Sequence, residues 1–216
     1  MAGLPAEKHE ARFTWTDYCA WQDDARWELF DGEAVSMAPA PSLQHQSAVT
    51  NLGAALRQHF RRKPCRALVA PVDVRLSEEN VVQPDIVVVC DPKQLKEYVD
   101  GPPALVVEVQ SPQSLRHDRV RKLNLYARFG VREYWLVTPY PPMLEVLSLA
   151  ENGHYAVEAV YSEADTLISP SFPDLRIPLA DIFDFPIPED QRIDELRERQ
   201  PPYPPRRAPP AQAANP

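Results

Sequence analysis

Nothing in the 216 residues approaches the roughly 20 consecutive apolar residues that a membrane-crossing helix needs. The opening Met-Ala-Gly-Leu-Pro-Ala-Glu-Lys also lacks the apolar core of a signal peptide, so a soluble, unprocessed protein without a membrane partner is expected. Cysteine is scarce. Cys19, Cys65 and Cys90 are an odd number with no metal-type spacing, which suggests neither a zinc site nor a disulfide framework and fits a reducing cytoplasm. Internal repeats are absent as well. Acidic residues are missing altogether between Ala34 and Val72, where Arg57, Arg61, Arg62, Lys63 and Arg66 lie.

What is present fits one globular domain with a sizeable core, since 44% of residues are hydrophobic and 25% charged. The net charge of -8, taken whole, argues against sequence-independent nucleic-acid binding. Its distribution differs: besides the acid-free stretch, Gln113 to Arg132 carries Arg116, Arg119, Arg121, Lys122, Arg128 and Arg132 against the single acid Asp118. Each basic segment is compatible with a solvated helix face, and the two together with a polarised surface. Composition divides the chain into a flexible N-terminus over 1–13, an α/β domain over 14–187, and a charged then proline-rich tail over 188–216. Seven of the 25 prolines fall in the last sixteen residues, so the tail reads as disordered or polyproline-like.

Along the domain, Thr14 or Thr16 caps a short helix that ends before Trp27. Trp27-Glu28-Leu29-Phe30 and Ala34-Val35-Ser36-Met37 flank Asp31-Gly32, a tight-turn dipeptide, and form a hairpin. Ser42 caps a long helix over 42–62, with Val49, Leu52, Leu56 and Phe60 recurring at helical spacing. Cys65 to Leu76 reads as strand broken at Pro71. The runs Pro84 to Cys90 and Ala104 to Gln110 are short, Val-rich and bounded by turn residues, hence buried strands. A helix over 114–129, closed by Gly130, leads into the strand Val131 to Val137. Strand, helix and strand in that order are a βαβ crossover with parallel strands. The segments 144–149, 154–161 and 166–169 alternate as antiparallel strands, with Asn152-Gly153 as a turn, and Leu179 to Phe183 forms a last helical turn.

The chemistry concentrates in the two buried strands, because each contains an acid that its apolar run does not need. Alternation puts Asp85 on a face with Val87 and Val89, and Glu108 on one with Val106 and Gln110. An ionised carboxylate in such a place is paired, protonated or metal-bound. Two carboxylates with a backbone carbonyl such as that of Val109 form the oxygen-rich partial cage that Mg²⁺ or Mn²⁺ prefers. On the following helix Asp118, Lys122 and Tyr126 are spaced four apart and share a face. A lysine there would orient water and offset phosphate charge. Taken singly, Asp85 also suits a turn cap, Glu108 a pairing with Lys122, and Asp118 with Lys122 an ordinary helix ion pair.

Pro84-Asp85 with Glu108-x-Gln110 resembles the signature of the PD-(D/E)XK nuclease superfamily. Trp27 to Glu33, His45-Gln46, Val82 to Ile86, Val107 to Pro112, Asp118-x-x-x-Lys122-x-x-x-Tyr126 and Gly130 to Trp135 are together similar to the Uma-type restriction-endonuclease-like family, from about Thr14 to Phe183. The resemblance implies a restriction-endonuclease-like α/β core, a mixed sheet flanked by helices, with an N-terminal hairpin and C-terminal antiparallel strands added. It also implies Mg²⁺-dependent (or Mn²⁺-dependent) cleavage of DNA, with Asp85 and Glu108 as metal ligands, the Val109 carbonyl and His45 beside them. Glu33, Asp118 and Tyr126 would support the site from behind, and Glu28 lies near the same cleft. The superfamily lysine falls at Gln110 here; either Gln110 orients water, or Lys122 supplies the lysine from the next helix, which is the favoured assignment. The basic segments 57–66 and 116–132 would flank the cleft, and a homodimer suits cleavage of two strands. A second reading is a catalytically inactive protein that keeps the nuclease fold for binding or structure; a third is hydrolysis of RNA.

Overall fold

The computed structural model describes residues 12–22, 25–37, 41–111 and 117–186, without the side chains of His117 and Asp118. The expected proline-rich tail and most of the N-terminal segment lie outside the described residues. Thr14 caps α1 (Trp15–Ala20): its hydroxyl accepts the Asp17 N–H while the Asp17 carboxylate accepts the Thr14 N–H, a reciprocal capping box. The hairpin of β1 (Trp27–Phe30) and β2 (Glu33–Ser36) turns at Asp31-Gly32, where φ is 50° and 80°. Ser42 caps α2 (Leu43–His59), its Oγ accepting the His45 N–H at 3.2 Å. β3 (Arg66–Val69) and β4 (Val74–Ser77) are separated by the cis peptide before Pro71, the break expected there.

β5 (Asn80–Val82), β6 (Ile86–Val89), β7 (Val99–Asp100) and β8 (Leu105–Val109) follow. The next helix is not uniform: a π-helical turn, His117–Lys122, runs into α3 (Leu123–Phe129), which ends on left-handed Gly130. Then come β9 (Glu133–Thr138), β10 (Met143–Leu149), β11 (Tyr155–Ser162), β12 (Thr166–Ile168) and β13 (Arg176–Pro178), with a final 3-10 turn at Leu179–Asp181.

The strands form a six-stranded sheet, β11-β10-β9-β8-β6-β3, a five-stranded sheet, β2-β1-β5-β4-β7, and the small pair β12-β13. β8 and β9 are parallel, as a crossover through α3 requires, and the other pairings of the larger sheet are antiparallel. β12 joins β13 rather than β11, so the third late segment leaves the main sheet. The alternation of β6 and β8 divides the core. Ile86, Val88, Val107 and Val109 pack with Leu52 and Leu56 of α2 and with Leu167 and Ile177. Val87, Val89 and Val106 face the other way, toward Leu125 and Tyr126 of α3 and toward Phe30, Val74 and Val82 of the smaller sheet. Burying such a Val or Leu is worth about 1.5–3 kcal/mol, so these two layers fix where α2 and α3 sit.

Cysteine is the one bulk expectation overturned. Cys65 and Cys90 form a disulfide, with Cα atoms 4.0 Å apart, while Cys19 is free. Their spacing carries no motif, but continuing the antiparallel register of β3 on β6 from Arg66 opposite Val89 sets Cys65 opposite Cys90. Among the described residues no helix is long and apolar enough to cross a membrane.

Candidate active site

Asp85 sits one residue before β6, and Glu108 near the end of β8. Ile86 pairs with Val107, so extending that register by one step puts Asp85 directly opposite Glu108. Directly opposed side chains have Cβ atoms about 4.5–5.5 Å apart, and two like charges there repel. The surroundings answer that repulsion with donors. Asp85 Oδ2 accepts the Val109 N–H at 2.8 Å and lies 3.3 Å from His45 Nε2. Glu108, 4% exposed, accepts at Oε1 from Lys122 Nζ at 3.0 Å and from the Tyr126 hydroxyl at 2.8 Å.

Lys122 reaches further. Its Nζ is also 3.0 Å from Glu28 Oε1 on β1, so one buried ammonium bridges carboxylates from both sheets. Glu28 in turn accepts the Gln83 N–H at 2.9 Å, two residues ahead of Asp85. Lys122 is the last residue of the π-helical turn and Tyr126 lies one turn on, so the widened segment and the regular helix each direct one donor at Glu108. Burial, followed by the charge of Glu108, pushes the Tyr126 hydroxyl well above its ordinary range, so it remains a donor.

Gln110 continues the face of Glu108. Its Oε1 accepts from Arg119 Nη2 and from the Thr138 hydroxyl, both at 3.3 Å. Arg119 is anchored in its turn on Glu145. With the amide oxygen doubly occupied, the Gln110 Nε2 is buried and has no partner among the described residues. The other buried, unpartnered side-chain nitrogen among the described residues is His45 Nδ1. Such atoms are rare in folded proteins, so each calls for an explanation.

Residues 15–180 of this chain match the family model Uma2, whose description is "Putative restriction endonuclease". The chain belongs to the Uma2 family. This Uma2 protein is similar to "Uncharacterized protein slr1290" of Synechocystis, 26% identical over 147 residues, which are 65% of this chain and 76% of that one. It is also similar to the crystal structure of "a putative nuclease belonging to DUF820" from Anabaena variabilis. The TM-score is 0.65 over 79% of this chain and 97% of the other, at 16% identity, and the shared feature is the restriction-endonuclease-like fold.

In the Uma2 chain Asp85 meets His45 and the Val109 N–H, Glu108 meets Lys122 and Tyr126, and Gln110 meets Arg119 and Thr138. Two expectations fail. Glu33 is not at the site: its exposed carboxylate pairs with Arg121 Nη2 at 2.6 Å, while that guanidinium lies over the Phe30 ring. Glu28, on the first strand of the same hairpin, takes the place. The signal was available, because Glu28 is an acid inside an apolar run just as Asp85 and Glu108 are. Nor do both basic segments flank the cleft. Segment 57–66 lies at the far, C-terminal end of α2 from His45. In the other segment Arg119, Arg121 and Arg128 are already held by Glu145, Glu33 and Asp31. The Asp118 side chain lies outside the described residues.

Among the described residues no group of three His, Cys, Asp or Glu side chains stands close enough to hold a metal, and His45 Nε2 lies 3.3 Å from Asp85 Oδ2. Two carboxylates and the Val109 carbonyl nevertheless suit Mg²⁺, which keeps several waters and takes one or two carboxylates.

Proposed function

We propose that this Uma2 protein is a metal-dependent endonuclease that hydrolyses DNA phosphodiester bonds. The observation that carries the reading is the cross-strand opposition of Asp85 and Glu108 with Lys122 Nζ 3.0 Å from Glu108. In this reading Asp85, Glu108 and the Val109 carbonyl hold Mg²⁺ or Mn²⁺, which when bound polarises the scissile phosphate and acidifies water. Tyr126 and Lys122 fix the Glu108 carboxylate from behind, and His45 and the Val109 N–H fix Asp85. Lys122 acts through its charge and as a donor, offsetting the phosphate charge brought to two acids and orienting the attacking water. Gln110 takes the superfamily lysine position as a neutral donor, its oxygen pinned by Arg119 and Thr138 so that Nε2 faces away from them.

A homodimer belongs to the same reading. It is supported by β11, an eight-residue edge strand of the larger sheet that exposes Val157 and Val160 and carries no Lys, Arg or Pro. The competing reading, a nuclease fold kept for binding alone, draws on Lys122 being engaged by two carboxylates.

Plasmid, linear duplex, single-stranded DNA and RNA incubated with Mg²⁺, Mn²⁺ or EDTA decide between them. Metal-dependent nicking that Asp85→Asn and Glu108→Gln abolish is expected. DNA left intact under every condition, or cut equally well by Asp85→Asn, refutes the nuclease reading; cleavage of RNA alone refutes the DNA assignment.

A further inference from the structure

The chain carries a net charge of -8, yet one surface collects cations without answering acids. Arg57, Arg61 and Arg62 are exposed, and none has a carboxylate partner among the described residues. Arg66 beside them turns its guanidinium onto the carbonyls of Lys63, Pro64 and Cys65. Among the described residues the acid that meets this segment is Asp174, which Lys63 neutralises at 2.6 Å. In the second basic segment, by contrast, Arg119, Arg121 and Arg128 are each spent on an acid, which leaves Arg132 as its exposed cation without one among the described residues.

The three arginines also terminate a path. α2 presents an exposed stripe through Gln46, Thr50, Arg57 and on to Arg61, and no acidic residue occurs anywhere from Ala34 to Val72. At the other end of this helix His45 contacts Asp85. A polyanion lying along the exposed side of α2 from its His45 end would meet hydrogen-bonding groups, no negative side chain of that element, and then the guanidinium groups of Arg57 and Arg61. Twelve residues of helix separate His45 from Arg57, about 18 Å at 1.5 Å per residue.

We propose that the C-terminal end of α2 is a remote binding site for the phosphate backbone of duplex DNA, which sets the length of substrate the enzyme needs. The site rests on the nuclease reading for its substrate, and charge complementarity selects the occupant. At 3.4 Å per nucleotide step, the roughly 18 Å from His45 to Arg57 corresponds to about 5 base pairs, so duplex should need to extend about that far to one side of the cut.

The test compares wild type with the Arg57→Gln/Arg61→Gln/Arg62→Gln variant on hairpin duplexes of about 8 and about 24 base pairs, measuring binding in EDTA and cleavage with Mn²⁺. Loss of three phosphate contacts should reduce the slope of log affinity against log salt on the long duplex by about 2.7. KM for the long duplex should rise about tenfold or more with kcat unchanged, and cleavage of the short one should stay within about twofold, as for any contact away from the reacting atoms. An unchanged slope on the long duplex, or an equal loss on both lengths, overturns the site. So does tighter arginine-dependent binding to phosphatidylglycerol vesicles than to duplex. The two readings fail separately. Arginine-dependent duplex binding without any cleavage sinks the nuclease and keeps the site, whereas cleavage indifferent to the arginines does the reverse.

Discussion

Replacing Lys122 by Met asks how much the site depends on its buried ammonium. The substitution keeps the length of the side chain and removes its charge from between Glu28 and Glu108, which are 3% and 4% exposed. Breaking a buried pair by deleting one partner costs about 3–5 kcal/mol, because the remaining charge is left in a poorly solvated place. Here two carboxylates are left, so the upper part of that range applies. For a chain of this size a loss of about 3–5 kcal/mol lowers Tm by about 6–20 °C. Adding Glu28→Gln to the variant removes one orphaned charge while keeping an oxygen for the Gln83 N–H, so part of the loss should return. Thermal melts of wild type, both single variants and the double variant close the cycle. Nicking activity should be absent from Lys122→Met and should not return with stability in the double variant. A Lys122→Met protein melting within about 2 °C of wild type, well below the shift expected for a lost buried pair, would refute the reasoning about the two carboxylates.

Tyr126→Phe deletes a hydrogen bond to a buried carboxylate, worth about 1.5–3 kcal/mol, and should cost stability by that amount in urea titration. Supporting partners of this kind typically change activity by about 10–100-fold, so nicking should weaken rather than vanish. Cys65→Ser opens a disulfide across a separation of 25 residues, and denaturant melts under oxidising conditions should lose about 3 kcal/mol, a difference that dithiothreitol erases. Acid should weaken the fold. Arg128 holds the Asp31 carboxyl below its ordinary value, and Lys96, then Arg75, does the same for Asp100. A depressed folded value means stability that is present above the ordinary pKa of 3.8 and lost as pH falls through the folded one. The gap in Tm between wild type and Arg128→Met should therefore be widest near neutrality and close as pH falls through the depressed value, and salt should narrow it because both side chains are largely exposed.

Much of the fold could be read from residues because local chemistry and global packing agree. Asp31-Gly32 does turn a hairpin, Ser42 does cap a long helix, and Gly130 does close the helix between the parallel strands. Asp85, Glu108, Lys122 and Tyr126 were legible for the same reason: an acid in an apolar run, or a polar group on the face that packs against one, has few structural uses. Pairing was not legible. Alternation tells which face a residue takes but not which strand lies beside it, so the division into two large sheets and the Cys65–Cys90 bridge stayed hidden. The resemblance puts both Glu28 and Glu33 near the cleft, and only the fold separates them, burying Glu28 against Lys122 and leaving Glu33 exposed on Arg121. Charge runs mislead similarly, since sequence counts arginines without showing which acids have claimed them.

The bridge made by Lys122 has a consequence for how the chain comes to life. Glu28, Glu108 and Lys122 are drawn from the beginning and middle of the domain, and Glu28 and Lys122 stand 94 positions apart. Contacts of such long range form late, after the loops between them have closed. During synthesis the first acid emerges long before the ammonium that binds it, and the strand that flanks Glu108 comes later still. The site is thus assembled by completion of the fold, and an unfinished or partly opened chain lacks it.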